Sequence, residues 1–431
     1  MSMRFDVRRA GWLVAAVVLL GSIIGVGAGL LTLLLYGVEH IALGFVEIPS
    51  RPGPYSVAPF RRVLSVVGVA FAASVAWWLL RSRTAKVPSV AKAVSGERMP
   101  LWQTIVHVSL QILIVGSGAS IGREVAPREL GAMLAQRFGA LMHLKAKDVR
   151  LVVAAAAGAG LAGVYDAPLA GMFFAVEILL ADAAIETVGL SLGMSAVAAY
   201  VASLIKGDHA FYVLSGLQAG NTPSLTLFAC VGGIVCGVAG ALFRRGSQWA
   251  EGNKPHGVSI MWLMPAAAAF TGVAAIWLPQ VMGNGRAAAE FAFGITGRAS
   301  CTTILILVVL FVVKASATLL TIRSGASGGV LQPGISLGAL LGAALGLPWI
   351  MAFPGDSVAA CAVIGAAALL SASQKAPLMA MCLVLELTGV PSVFFVPVCV
   401  AVAVSSLVSL WMAPVLSRTQ RKTARSVVSP R

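Results

Sequence analysis

An all-α polytopic membrane protein, built from two repeats of inverted topology with broken and tilted helices, is the fold class this sequence predicts. Three observations carry it. Of the 431 residues, 58% are hydrophobic and 11% charged, and stretches 10–38, 325–355 and 387–417 hold no charged residue. About 20 apolar residues suffice to cross a bilayer as a helix. Short strings also recur in the same order. Ser117-Gly118-Ala119-Ser120 returns as Ser324-Gly325-Ala326-Ser327, Leu130-Gly131-Ala132 as Leu337-Gly338-Ala339, and His107 as Lys314, all at an offset of 207 residues. Ala167-Pro168-Leu169 with Glu177 returns as Ala376-Pro377-Leu378 with Glu386, at an offset of 209. Finally, runs 63–80, 151–165 and 302–313 are short, and 116–122 is interrupted by glycines. Non-helical backbone at membrane depth survives only where protein or a watery cavity surrounds it.

The first element is an uncleaved helix over 10–38. Arg4, Arg8 and Arg9 before it resemble the flank of a signal peptide, but the apolar run is too long and lacks a clear small-residue cleavage site. A proline-rich external loop follows, with Pro49, Pro52, Pro54 and Pro59, and then a second span over 63–80. Arg81, Arg83, Lys86, Lys92 and Arg98 come next; Arg244, Arg245 and Lys254 form a central loop; Arg418, Arg421, Lys422 and Arg425 close the chain. The net charge of +15 therefore reads as membrane topology with both termini cytoplasmic, not as a nucleic-acid surface. Arg61 and Arg62 are the counterexample, since they fall outside. The first repeat is assigned to 1–220, the second to 221–417 and a basic cytoplasmic tail to 418–431. Cysteines 230, 236, 301, 361, 382 and 399 lie in or beside apolar runs without metal-ligand spacing and read as core residues, and the scattered His40, His143, His209 and His256 form no ligand cluster. No metal or cofactor is expected.

Segment 116–131 carries the chemistry. A glycine-rich stretch leads into Arg123-Glu124, then Pro127 and a helical run, and the second repeat matches it with Gly328-Gly329-Val330-Leu331-Gln332-Pro333. Proline is tolerated in the first turn of a helix, so both segments predict helices whose free N–H groups and positive dipole ends point back at the glycines. Two such ends meeting inside a membrane form an anion site without a fixed cation, and paired glycine-broken segments in matching positions are where a transporter holds its cargo. Glu124 is then a tethered anion competing for the same N–H groups, a gate that opens when it is protonated or displaced. The alternative is a first-turn carboxylate that neutralises Arg123 or the dipole. Glu177 and Glu386 are read as structural, each satisfying a buried turn, and His107 and Lys314 as snorkelling or paired against another helix.

Residues 116–124, Gly-Ser-Gly-Ala-Ser-Ile-Gly-Arg-Glu, resemble the segment of the CLC family of chloride channels and proton-coupled anion exchangers that ends in Gly-Arg-Glu-Gly-Pro. Gly329 to Pro333 is similar to the family's Gly-x-Phe-x-Pro, and 159–177 to the segment around Asn-Ala-Pro-Leu-Ala-Gly. The likeness extends from about Trp12 to Arg418. It implies a divergent prokaryote-type member without cytosolic regulatory domains, a homodimer with a pore in each subunit in contact through 183–204 and 384–411, and an inner-membrane location. It also implies Glu124 as the gate and an anion path past Gly122, Arg123, Val125, Gly329, Val330 and Leu331. Ala85 stands where the family has a coordinating serine, Leu331 where it has phenylalanine, and the inner pathway has only Trp411 and Met412 near its usual tyrosine position. Chloride is the implied substrate, with fluoride and nitrate open because of those departures. The inner carboxylate of the family's exchangers is replaced by Ile178, while Asp182 and Glu186 lie one and two helical turns on. A passive channel or uncoupled transporter is preferred over proton-coupled exchange of chloride or fluoride. Two rivals rank lower. A cation-coupled transporter of another inverted-repeat fold would want unwound carbonyls and buried acids, and an intramembrane enzyme would need a Ser/His, paired-Asp or metal constellation.

Overall fold

The computed structural model describes residues 7–217, 220, 222–296 and 300–427, with side chains from 9 to 412. Helices follow in an order that repeats after eight. The first set is α1 (Arg9–Leu43), α2 (Pro59–Arg83), α3 (Val90–Val94), α4 (Leu101–Gly116), α5 (Val125–Leu141), α6 (Ala146–Tyr165), α7 (Pro168–Leu180) and α8 (Ile185–Lys206). The second is α9 (Pro223–Gly252), α10 (Ile260–Trp277), α11 (Arg286–Phe293), α12 (Cys301–Arg323), α13 (Leu331–Ala352), α14 (Val358–Gln374), α15 (Pro377–Thr388) and α16 (Phe395–Val427). Among the described residues, nine helices are long and apolar enough to cross a membrane.

Ion pairs fix the two faces. Arg9 at the start of α1 meets Asp148 at 3.2 Å and Glu186 at 2.5 Å, at the starts of α6 and α8. That is the N-terminal face. Lys206 at the end of α8 reaches Val164 O at 2.9 Å and Asp166 at 2.6 Å, beyond the end of α6, on the opposite face. Arg81 closes α2 back at the N-terminal face, where it meets the chain after α12.

Helices α6 and α14 form the inner layer. Their Ala- and Gly-rich sequences are buried along nearly their whole length, because small side chains let neighbouring backbones approach. Gly131 of α5 lies against the Ala156 carbonyl of α6, and its counterpart Gly338 of α13 against Gly365 of α14, so that a methyl group at either would overlap backbone. Gly118 and Gly325, again matched in position, take φ of +109° and +103°. These values turn the chain back on itself after α4 and α12, and L side chains rarely adopt them.

The charge-free stretches 325–355 and 387–417 each hold a helix long and apolar enough to span, Leu331–Ala352 and Ser392–Met412; helix begins at Leu331 in the first, and the chain breaks at Gly389 in the second. Two expectations need correction. Arg244 and Arg245 lie within α9, which runs on to Gly252, and only Lys254 is in the loop. Cys301 and Cys399 are exposed, not core. Segment 418–427 continues α16 as helix, and its side chains lie outside the described ones.

Candidate functional site

The two glycine segments touch. Gly122 and Gly329 pair as an antiparallel bridge, each N–H donating to the other's carbonyl at 2.8 Å. Immediately after them the chain enters α5 at Val125 and α13 at Leu331. Glu124 occupies the N-cap position of α5 yet makes no cap bond to its own helix. Its carboxylate crosses the seam, where Oε1 accepts the Leu331 N–H of α13 at 2.6 Å. The Tyr165 hydroxyl donates to Oε2 at 3.4 Å. The carboxylate is completely buried. A Cβ at Gly122 or Gly329 would overlap its oxygens, so the glycines form the walls of the carboxylate's seat. A carboxylate so placed satisfies an orphan first-turn amide and the positive end of α13.

The expected site residues divide. Gly122 and Gly329 line the seat, but their amides are spent on each other and not on an anion. Val125 and Val330 stand at the two helix starts, and Leu331 contributes its backbone while its side chain is buried. Arg123 turns away: its guanidinium stacks over Tyr165 and Phe211, at 5.5 and 5.8 Å from the ring centres. Ala85 is exposed at the foot of α2, Ile178 is partly exposed in the wide π turn ending α7, and Trp411 is exposed on α16 beside half-buried Met412. None of the described contacts brings these four to Glu124.

Other residues find structural work. Asp182 accepts from Thr187 Oγ1 at 2.7 Å and the Ala184 N–H at 3.1 Å; in this loop outside the spans, those bonds, the Thr187 one foremost, hold its carboxyl below the usual range. Glu186 is engaged by Arg9. Lys314 is fully buried and donates to the carbonyls of Val281 and Gly283, so it pairs and does not snorkel. Both glycine stretches spell the Gly-x-Ser-x-Gly string of a hydrolase nucleophile turn, at 118–122 and 325–329. Ser120 Oγ, however, shares a hydrogen bond with Thr318, and Ser327 Oγ accepts from Arg81, where catalysis would need a general base. Among the described residues, no group of three His, Cys, Asp or Glu side chains stands ready to hold a metal.

One cluster escaped the sequence reading. Glu129, on α5 five residues past Glu124, is buried with Oε2 accepting from Gln111 Nε2 at 2.7 Å. His107 Nε2 lies 3.6 Å from the same oxygen, and His107 Nδ1 accepts the Trp77 indole N–H at 3.0 Å. That bond places the proton of a neutral ring on Nε2, facing the carboxylate. Arg128 donates to the Glu124 carbonyl at 2.7 Å and stacks on Phe174. In the sequence this cluster shows only as one acid within the run 125–141.

Comparison with known proteins bears on the family and the fold. The family described as Voltage gated chloride channel matches residues 67–410. The voltage-gated ClC-type chloride channel ClcB of Citrobacter koseri is 29% identical over 326 residues, 74% of each chain. The H(+)/Cl(-) exchange transporter ClcA of Cronobacter sakazakii is 28% identical over 316 residues, 70% of this chain and 66% of that one. A crystal structure of a slow cyanobacterial Cl−/H+ antiporter shares the fold at a TM-score of 0.77, with 24% identity over 95% of this chain and 98% of the other. With the family pattern running through both glycine segments and most of the membrane helices, the chain belongs to the CLC family of membrane anion transport proteins, the voltage gated chloride channel family.

Proposed function

We propose that this protein passes a small inorganic anion, chloride by default, through the seam between its two repeats, with Glu124 as the gate, as a passive channel or uncoupled transporter. The observation that carries the reading is the Glu124 carboxylate seated on the Leu331 N–H between Gly122 and Gly329. An anion arriving there competes for the same donor, and a proton on Glu124 removes its claim to it. Passive flow is favoured because Ile178 carries no titratable group, while Asp182 is held by the Thr187 hydroxyl and the Ala184 N–H and Glu186 by an ion pair with Arg9. Proton-coupled exchange is the second reading, favoured by buried Glu129 beside His107 on the N-terminal side of the gate. The relatives' names include both a channel and an exchanger.

The repeats 1–220 and 221–417 supply one helix start each. The N-terminal face, rich in Arg and Lys, is assigned to the cytoplasm of a cell whose inner membrane holds the protein. A homodimer in contact through 183–204 and 384–411 fits the exposed apolar side chains of those segments, among them Ile185, Leu204, Val396 and Trp411.

Purified protein in liposomes tests this, with chloride efflux and pH recorded together. Charge-assisted hydrogen bonds contribute roughly 1.5–3 kcal/mol, so Glu124→Gln is expected to raise efflux about tenfold or more. Unchanged efflux removes the gate assignment. Uphill proton movement at a fixed ratio to chloride replaces passive flow with exchange.

A further inference from the structure

At the N-terminal face, away from the gate, the foot of α2 and the turn between α9 and α10 enclose a cavity of about 350 Å³. Arg81, Lys86 and Lys254 line it with His256, and Trp78 closes one side. No carboxylate is among its lining residues. Two acids act on these cations from outside the wall: Glu251 pairs with Lys254 at 2.7 Å, and buried Glu129 attracts both Arg81 and Lys254. Arg81 is held in place at the back: it stacks over Trp77 at 5.3 Å and donates to Gly325 O at 2.8 Å and Ser327 Oγ at 3.0 Å.

We propose that this cavity is a binding site for a phosphate group. A planar guanidinium and two ammonium groups converging from different segments offer more donors and more charge than a monovalent halide uses, and they match a polyvalent tetrahedral oxyanion. The volume accommodates the phosphate with part of its ester. The cavity opens at the ends of membrane helices, the level at which anionic headgroups sit, and basic pockets between helices on this side bind them. The shared chemistry is the phosphate; its source is a lipid headgroup or a soluble phosphate. Occupancy has a route to the pathway, because Arg81 holds Gly325 and Ser327, and Gly328 and Gly329 follow directly.

Isothermal titration of pyrophosphate into the full chain in phosphatidylcholine nanodiscs tests the site without any transport reading, so it stands or falls separately from the anion pathway. Saturable binding is expected in the native protein. Each basic side chain near a membrane surface contributes enough that Lys86→Ala with Lys254→Ala should weaken binding about 30-fold. Lys92→Ala with Arg98→Ala removes two exposed cations of the same face outside the cavity and should bind like the native chain. Adding phosphatidylglycerol to the discs separates the sources: competition with pyrophosphate identifies a headgroup site, and unaltered affinity identifies a soluble phosphate. Absence of saturable binding, or an equal loss in both double variants, overturns the proposal.

Discussion

Glu124 does for α13 what a dissolved anion would do, and the seat it fills is shaped by the absence of two side chains. That makes Gly329 the sharpest probe. A methyl group there overlaps the Glu124 carboxylate, the mobile end of a side chain, so Gly329→Ala should expel the acid and leave the helices in place. Chloride efflux at neutral pH should rise about tenfold, toward that of Glu124→Gln, with the far-ultraviolet circular dichroism unchanged. Efflux equal to the native rate would mean that the seat is not on the anion's route. The position of Glu124 was legible because glycine spacing and one acid within an apolar segment are features of a string. The Tyr165 hydroxyl and the Glu129 cluster were not, since they depend on which helix faces come together, and neither Gln111 nor Trp77 differs from an ordinary helix residue in the sequence.

Between elements, α7 and α15 hold each other's starts. Glu177 near the end of α7 accepts the first-turn amides of α15 from Leu378 at 3.2 Å and Met379 at 2.9 Å, and Glu386 near the end of α15 accepts those of α7 from Leu169 and Ala170 at 2.8 Å. Two antiparallel helices thereby satisfy four orphan amides that their own Pro-led starts leave open. Glu177→Ala and Glu386→Ala should each lower stability by about 1–3 kcal/mol, and the pair by less than the sum, because the first loss already loosens the shared contact. Thermal unfolding in detergent, followed by tryptophan fluorescence, measures it; an effect no larger than that of an exposed substitution would show the bonds to be incidental. The repeated Ala-Pro-Leu and glutamate were visible in the sequence, and so was a structural role for them. The exchange of partners was not, because each acid serves the other repeat's helix, some 200 residues away. Arg244 and Arg245 misled for the opposite reason: basic residues suggested a loop where the apolar face of α9 simply continues.

At the scale of the whole molecule, charge and helix order define two distinct faces. Cys301 is exposed at the start of α12, on the face opposite Arg9, and it offers a direct test of orientation. With both termini in the cytoplasm, a membrane-impermeant maleimide applied to intact spheroplasts should label a Cys399→Ser chain, and adding Cys301→Ser should abolish most of that label. Labelling only after lysis would reverse the assignment. The overall fold class was readable since depth in a membrane leaves a compositional record, whereas the helix breaks within charge-free stretches left none. The bridge between Gly122 and Gly329 bears on how such a molecule works. Laced together at mid-depth by that pair, and near both rims by the reciprocal glutamates, its halves have little freedom to rock past one another. With Glu124 as the gate proposed above, throughput would be paced by the swing of that one side chain, a movement to which the stiffness of the surrounding lipid is nearly irrelevant.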